Sequence, residues 1–366
     1  MLANVSSEVK QVGKNRDEDL TQLGLEQKGD RRETRKVQIT GKSTYIISLP
    51  KTWVTKVKIK NGDSVVMIPR SDGTLLINPQ LSDAQEIFTH TIEVDSQDYE
   101  TLFRKFIGAY LAGFDVIEIT SKEKLTPAMR QKIRQITHNV IGPEIIDETS
   151  TSVKVKDLLD SGDLSMIQGI KRMYMISRGM HRDAILALTN HDLELAEDVA
   201  SRDSEVDKFN WMIAKQHNLV LNDVFFADAM GVKPQEVLGY LLVARSIERI
   251  ADHARKLADN VRHLNKKTTI LPKITEISES ILKEYDEAIN AFHRGQFDDA
   301  NKVVNTAREL GKITAQLRQE FFSLKLDTET VVALALVADS LERTRAYVID
   351  IAETAINHQY TTMLAR

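Results

Sequence analysis

Two acidic pairs carry the spacing best suited to chemistry. Asp203 and Asp207 lie four residues apart in ASRDSEVDKFNWMI, positions 200–213. Glu248 and Asp252 lie four apart in YLLVARSIERIADHARKLADN, positions 240–260. On a helix, residues four apart stack on one face, one turn from each other. Each pair also sits beside an apolar seam rather than opposite it. In the later stretch Val243, Ile247, Ile250, Ala254, Leu257 and Val261 step by alternating fours and threes, the mark of one buried stripe. In the earlier one Val199, Val206, Phe209 and Ile213 form the apolar face, with Asp203 on its edge. Four carboxylates from two facing helices make a hard oxygen-donor site suited to iron, manganese, magnesium or a related ion. The competing reading is a solvated acidic face, or neutralisation by Arg245, Arg249 and Arg255. His253 is adjacent but one step round the helix, and so the weaker ligand.

The elements that must position these groups are long helices. From about residue 160 Gly and Pro nearly vanish, and the pattern predicts helices near 164–190, 191–217, 234–264, 273–294, 297–324 and 327–358. Helices of about 30 residues run ~45 Å, so they form a long bundle. The six read as a three-helix unit used twice. Ala-Ile recurs at 184–185 and 288–289, an offset of 104, each time followed by a break, Asn190-His191-Asp192 and Arg294-Gly295-Gln296. VARSIERIADHARKLAD, 243–259, lies over VADSLERTRAYVIDIAE, 337–353, at an offset of 94. The later seam is Val337, Leu341, Thr344, Val348 and Ile351. With these offsets Asp203 falls on Ala307, Asp207 on Gly311 and Asp252 on Ala346; Glu342 alone matches Glu248. One carboxylate cannot hold a metal cluster, so the second unit is expected to be metal-free.

Composition bounds the rest. The 366 residues are enough for two or three domains. There is no cysteine, which removes disulfides and thiolate metal sites. The N-terminus has no signal-peptide core and no apolar run spans a membrane, so the chain reads as cytoplasmic with no membrane insertion. Residues 31–60 hold nine Lys/Arg and one Glu, a net +8, leaving −12 on the remainder of a chain whose net charge is −4. A basic block on an acidic protein points to one anion-binding end, with nucleic acid the leading candidate.

In order, the chain reads as multidomain α+β. Residues 1–34 form a flexible arm, and 35–80 form short strands around the helix opened by Pro50. Tyr45, Ile47 and Leu49 alternate as a half-buried strand should. So small a unit has no core of its own and is expected to share a sheet with a second copy, as a homodimer. Residues 85–156 form a connecting α/β domain without a catalytic constellation. The helical units cover 160–264 and 272–360.

The stretch GKSTYIISLPKTWVTKVKIKNGDSVVMIPRSDGTLLINP, positions 41–79, resembles the AbrB family of swapped-hairpin DNA-binding domains, through Leu49-Pro50-Lys51 and Gly62-Asp63. That resemblance implies DNA contact by Arg35, Lys36, Lys42 and Lys51 at a palindromic operator. The six-helix repeat with DSEVD and ARSIERIADHA looks like the PhoU family of phosphate-uptake regulators, over roughly 160–360. It implies that Asp203, Asp207, Glu248 and Asp252 bind a divalent or trivalent metal, iron or zinc, in the first unit only. Together the two resemble the archaeal type of phosphate-linked transcriptional regulator. The alternative is a PhoU-like protein acting on a phosphate transporter subunit or sensor by contact, with the AbrB-like end only dimerising. A di-metal oxidase would use Glu-x-x-His pairs, and none stands beside these carboxylates.

Overall fold

The computed structural model describes residues 33–41, 43–69, 73–79, 87–94, 99–159, 163–264, 269–323 and 326–364. Lys42 and nearly all of the expected arm lie outside these residues. The chain divides after Asp83 into two units.

In the first unit, β1 (Gln38–Thr40) and β2 (Thr44–Ile46) form an antiparallel hairpin. Helix α1 (Lys51–Lys56) follows Pro50, and β3 (Val66–Pro69) pairs with β4 (Leu75–Asn78). None of its described residues is buried. Val37, Ile39 and Tyr45 are more than 60% exposed, so the half-buried strand expected at 45–49 is instead an exposed one ending at Ile46. The alternation is present, but one copy supplies no second layer to cover it.

The second unit opens with a four-stranded sheet in the order β5-β6-β8-β7. Its strands are β5 (Thr89–Glu93), β6 (Val116–Thr120), β7 (Pro143–Glu148) and β8 (Ser152–Asp157). β5 runs parallel to β6; the other pairings are antiparallel. Ile92, Ile117, Ile119, Val153 and Val155 point to one face, where they meet α2 (Tyr99–Ala112) and α3 (Pro127–His138) through Leu102, Phe106, Tyr110, Met129, Ile133 and Ile136.

The bundle comprises α4 (Met166–Asn190), α5 (Leu193–Asn222), α7 (Val237–Asp259), α8 (Leu271–Arg294), α9 (Phe297–Ser323) and α10 (Thr328–Leu364). A short helix, α6 (Val224–Met230), was not expected. Its signals were local: Asp223 accepts from the amides of Phe225 and Phe226, and Gly231 ends it with φ 63°. Every residue of both predicted seams is fully buried. Each large side chain there contributes about 1.5–3 kcal/mol.

The repeat is visible in the packing. α4 ends on His191 and α8 on Gly295, both left-handed, at φ 55° and 61°, and 104 positions apart. α4 lies antiparallel to α8: Tyr174 meets Tyr285, and His181 Nε2 meets Ser278 Oγ at 2.9 Å. Under the 104 offset those two contacts exchange places. α7 lies antiparallel to α10, and there His253 faces its own equivalent, Tyr347, with ring centroids 6.0 Å apart. The two sets are thus related by an approximate twofold running between α7 and α10.

The sheet docks on α5. Trp211 meets Phe103 edge-on at 5.7 Å, and the Asn218 amide donates to Leu111 O at 2.8 Å. Gly113 has φ 87°, and a Cβ there would lie 2.5 Å from Leu219, so the loop after α2 requires glycine twice over. Buried Lys215 pairs with Asp157 at the end of β8, its Nζ 5.1 Å from the Tyr110 ring centroid.

Candidate functional site

α5 and α7 pack side by side and bring the four predicted carboxylates into one electrostatic group. Asp203 and Asp207 stand on α5, Glu248 and Asp252 on α7, and all four are half-buried. Burial pushes Asp207 up to about 7, helped by the charges of Asp203, Glu248 and Asp252. Burial raises Glu248 as well, with Asp252 next in effect. It also raises Asp203, although Arg255 opposes the shift.

Two arginines enter the group. Arg255 Nε lies 3.1 Å from Asp203, and its Nη2 lies 3.7 Å from Asp252. Arg249 reaches Glu248 at 3.5 Å and Asp252 at 3.6 Å. Neutralisation by arginine, weighed from the sequence, is therefore partly realised, by Arg249 and Arg255 but not by Arg245 through any direct ion pair. The arrangement is loosely satisfied. Arg255 Nε is buried and lacks an aligned hydrogen-bond acceptor despite its closeness to Asp203. Among the described residues Asp207 has no ion-pair or hydrogen-bond partner.

The donor chemistry and the charge of this group fit a hard cation; the side-chain placement does not. Among the described residues no three His, Asp or Glu side chains stand where they could hold one ion. Arg255 sits where Asp203 and Asp252 would otherwise converge. His253 is turned away from the carboxylates, into the α7–α10 contact with Tyr347.

Residues 170–261 match the PhoU domain. The match spans α4 through α7 and so contains all four carboxylates. Residues 38–84 match a second family, described as antidote-toxin recognition MazE, bacterial antitoxin, over nearly the residues that resemble AbrB proteins. The chain is similar to a phosphate-specific transport system accessory protein PhoU homolog of Rhizobium meliloti (strain 1021). The two are 22% identical over 194 residues, covering 50% of this chain and 80% of that one. It is also similar in structure to the phosphate transport system regulatory protein PhoU from Streptococcus pneumoniae. The TM-score there is 0.47 at 17% identity, covering 53% of this chain and 92% of that one.

Outside the PhoU match, the second set replaces the acidic group with an internal cation. Arg345 donates to both oxygens of Glu342, at 2.9 and 2.5 Å, and to Ala307 O at 3.0 Å. Ala307 is the equivalent of Asp203. Gly311, the equivalent of Asp207, leaves room for the guanidinium: a Cβ there would lie 3.2 Å from Arg345 Cζ. Thr314 adds a hydrogen bond to Glu342 at 2.7 Å. Burial raises the Glu342 pKa, but the bonds from Arg345 and Thr314 outweigh it and hold it below the usual range. Glu248, at the same repeat position, is shifted the opposite way. Glu342 and Arg345 are an i, i+3 pair on α10, so that contact was within reach of the sequence; the bond to Ala307 O on α9 was not, and the paired loss of the Asp203 and Asp207 equivalents was the available signal for it. Arg345→Met is expected to destabilise the protein by about 2 kcal/mol in urea unfolding, the scale of hydrogen bonds to a charged group. A change below about 0.5 kcal/mol, the floor for one net hydrogen bond, would contradict this role.

Three of the four basic residues assigned to DNA are among the described residues. Arg35 pairs with Glu33, Lys36 is exposed beside β1, and Lys51 is exposed at the start of α1.

Proposed function

We propose that the chain is a phosphate-responsive transcriptional regulator of the archaeal type, binding operator DNA as a dimer through residues 35–80. The reading rests chiefly on one observation. The first unit carries basic residues and unburied apolar strands, and it shares a chain with a PhoU domain. Two isolated hairpins exposing Val37, Ile39, Tyr45, Ile46 and Ile47 are marginal in water, so a second copy covers them. The twofold then presents two copies of Arg35, Lys36, Lys42 and Lys51 to a palindromic site. Fluorescence anisotropy with the protein's own promoter DNA tests this. Each Lys or Arg that contacts phosphate should contribute roughly −0.9 to the slope of log affinity against log salt, and Lys36→Ala with Lys51→Ala should flatten it accordingly. Absence of binding at low salt ends the DNA reading.

The PhoU-like helices supply the regulated part. Asp203, Asp207, Glu248 and Asp252 hold a divalent or trivalent cation, iron or zinc by family resemblance, with Arg255 moved aside. With Arg255 moved aside, four carboxylates against Arg249 alone are three charges short, and a divalent or trivalent cation offsets most or all of that, reducing the repulsion and tying α5 to α7. Metal content after dialysis checks this: Glu248→Ala with Asp252→Ala should lose the ion while circular dichroism stays unchanged.

A second reading, regulation by protein contact alone, is favoured by the name of the Rhizobium meliloti relative, a transport system accessory protein. The partner would be a transporter subunit, with the first unit serving dimerisation only. Among the described residues no helix is long and apolar enough to cross a membrane. Neither reading requires catalysis.

A further inference from the structure

We propose that the edge of β5 that pairs with no strand among the described residues pairs with β5 of a second copy, joining two four-stranded sheets into one continuous sheet across a twofold. The hydrogen bonding of β5 fixes which groups are free. The amide of Val94 donates to Thr120 O and that of Val116 donates to Phe88 O, so Phe88 and Val94 face β6. Alternation assigns His90 and Ile92 to the same side. Thr89, Thr91 and Glu93 therefore aim their N–H and C=O groups away from β6. All three are exposed, as are Ile87 and Phe88 just before the strand, at 59% and 56%.

The two edges of this sheet are not alike. β7, at the far edge, opens on Pro143 and carries an irregularity between Ile145 and Asp147. It ends on Glu148, which is held by Arg130 and Arg134, and Arg130 also reaches over to Thr149 O. Proline, irregular register and clamped charges are the features that prevent edge pairing. β5, with the sequence Thr-His-Thr-Ile-Glu, has no proline and no bulge. It too ends on a paired charge, Glu93 with Lys122 at 3.3 Å, but that pair is single and exposed and leaves Thr89 and Thr91 clear. An edge so lightly guarded is a template for another strand.

A second copy is the occupant that fits. Antiparallel self-pairing about Thr91 sets Thr91 against Thr91 and Thr89 against Glu93, so every outward N–H meets a C=O and like charges do not face each other. The sheet's outer face is polar, through Glu118 and its partner Lys154, so extension at the edge leaves that face in water. The inference rests on the dimer reading of the first unit, which would hold two β5 strands within one particle at high effective concentration.

The chain has no cysteine, so single cysteines report without background. Thr91→Cys should form disulfide-linked dimer under mild oxidation at least about tenfold faster than Leu186→Cys, an exposed control on α4. Thr89→Cys alone should link at the control rate, but mixed with Glu93→Cys it should link fast. This second pair also covers the case in which Thr91→Cys does not fold. Thr91→Pro, which removes only an outward donor, should slow linkage of Glu93→Cys to Thr89→Cys. Control-rate linkage of folded Thr91→Cys, or of the mixed pair, in protein that light scattering shows to be dimeric overturns the sheet pairing and leaves the dimer reading standing. A monomer by light scattering overturns both.

Discussion

Asp207→Asn is expected to stabilise the metal-free protein by about 2 kcal/mol at pH 8, and the advantage is expected to shrink as the pH falls from 7 towards 4. The Asp207 carboxyl titrates near 7 in the folded protein, raised first by burial and then by Asp203, Glu248 and Asp252; its ordinary value is 3.8. A carboxyl raised on folding binds its proton more tightly in the native state. Its stabilising contribution is then fully present below the unfolded value and is lost as the pH rises through the folded one. A tenfold change in proton affinity corresponds to about 1.4 kcal/mol, and partial exposure cuts the sum to about 2. Two buried histidines act in the opposite sense. Burial lowers His181 and His253 to about 4, so folding is opposed as the pH falls from 6.5 to 4. Comparing Asp207→Asn with the parent at each pH removes their contribution. Urea unfolding at pH 8, 6.5 and 5 is the measurement. Saturating metal should reverse the order, because the asparagine variant loses a ligand that the parent keeps. A variant that stays the more stable with metal present would argue against the cation site.

Lys215→Ala is expected to destabilise the second unit by about 3–5 kcal/mol, because it leaves the buried Asp157 carboxylate without a counter-charge. The pair joins α5 to the end of β8, and the Lys215 ammonium also lies over the Tyr110 ring. Tyr110 is tied down in turn, donating to Ile141 O at 2.9 Å, and its pKa is raised by burial and by Asp157. Asp157 also caps the turn, accepting from the Leu159 amide at 3.0 Å. Lys215→Met with Asp157→Asn therefore tests the charge separately, since asparagine can keep that cap while neither side chain is ionised. The double variant should recover at least half of the loss. A double variant as unstable as Lys215→Ala would mean that packing of the lysine stem, rather than the uncompensated charge, controls the docking of the sheet.

The bundle was legible because its information is periodic. The alternating four and three steps of the α7 and α10 seams specify a buried helical stripe wherever the helices end up, and each seam residue is indeed buried. Helix ends were legible where the signal was a single residue, as at His191 and Gly295. They were missed at α6, where apolar residues on both sides of Asp223 hid the cap. The union of the sheet and the bundle in one unit could not be read. It depends on Lys215 meeting Asp157 and Trp211 meeting Phe103, contacts between residues far apart in sequence that carry no periodic signature.

The four carboxylates divide along the same line. Their spacing fixed that Asp203 and Asp207 share one helix face and that Glu248 and Asp252 share another, because backbone geometry alone decides which side chains stack. Only the tertiary structure decided that the two faces meet and how charges are answered between them. In the first set Arg249 and Arg255 leave the acidic group short of positive charge. In the second, Arg345 lies over Gly311 and closes on Glu342. Part of the compensation lies along single helices, as i, i+3 pairs of Arg249 and Arg255 with Asp252 and of Arg345 with Glu342. The rest, Arg255 on Asp203 and Arg345 on Ala307 O, follows from how α5 packs on α7 and α9 on α10.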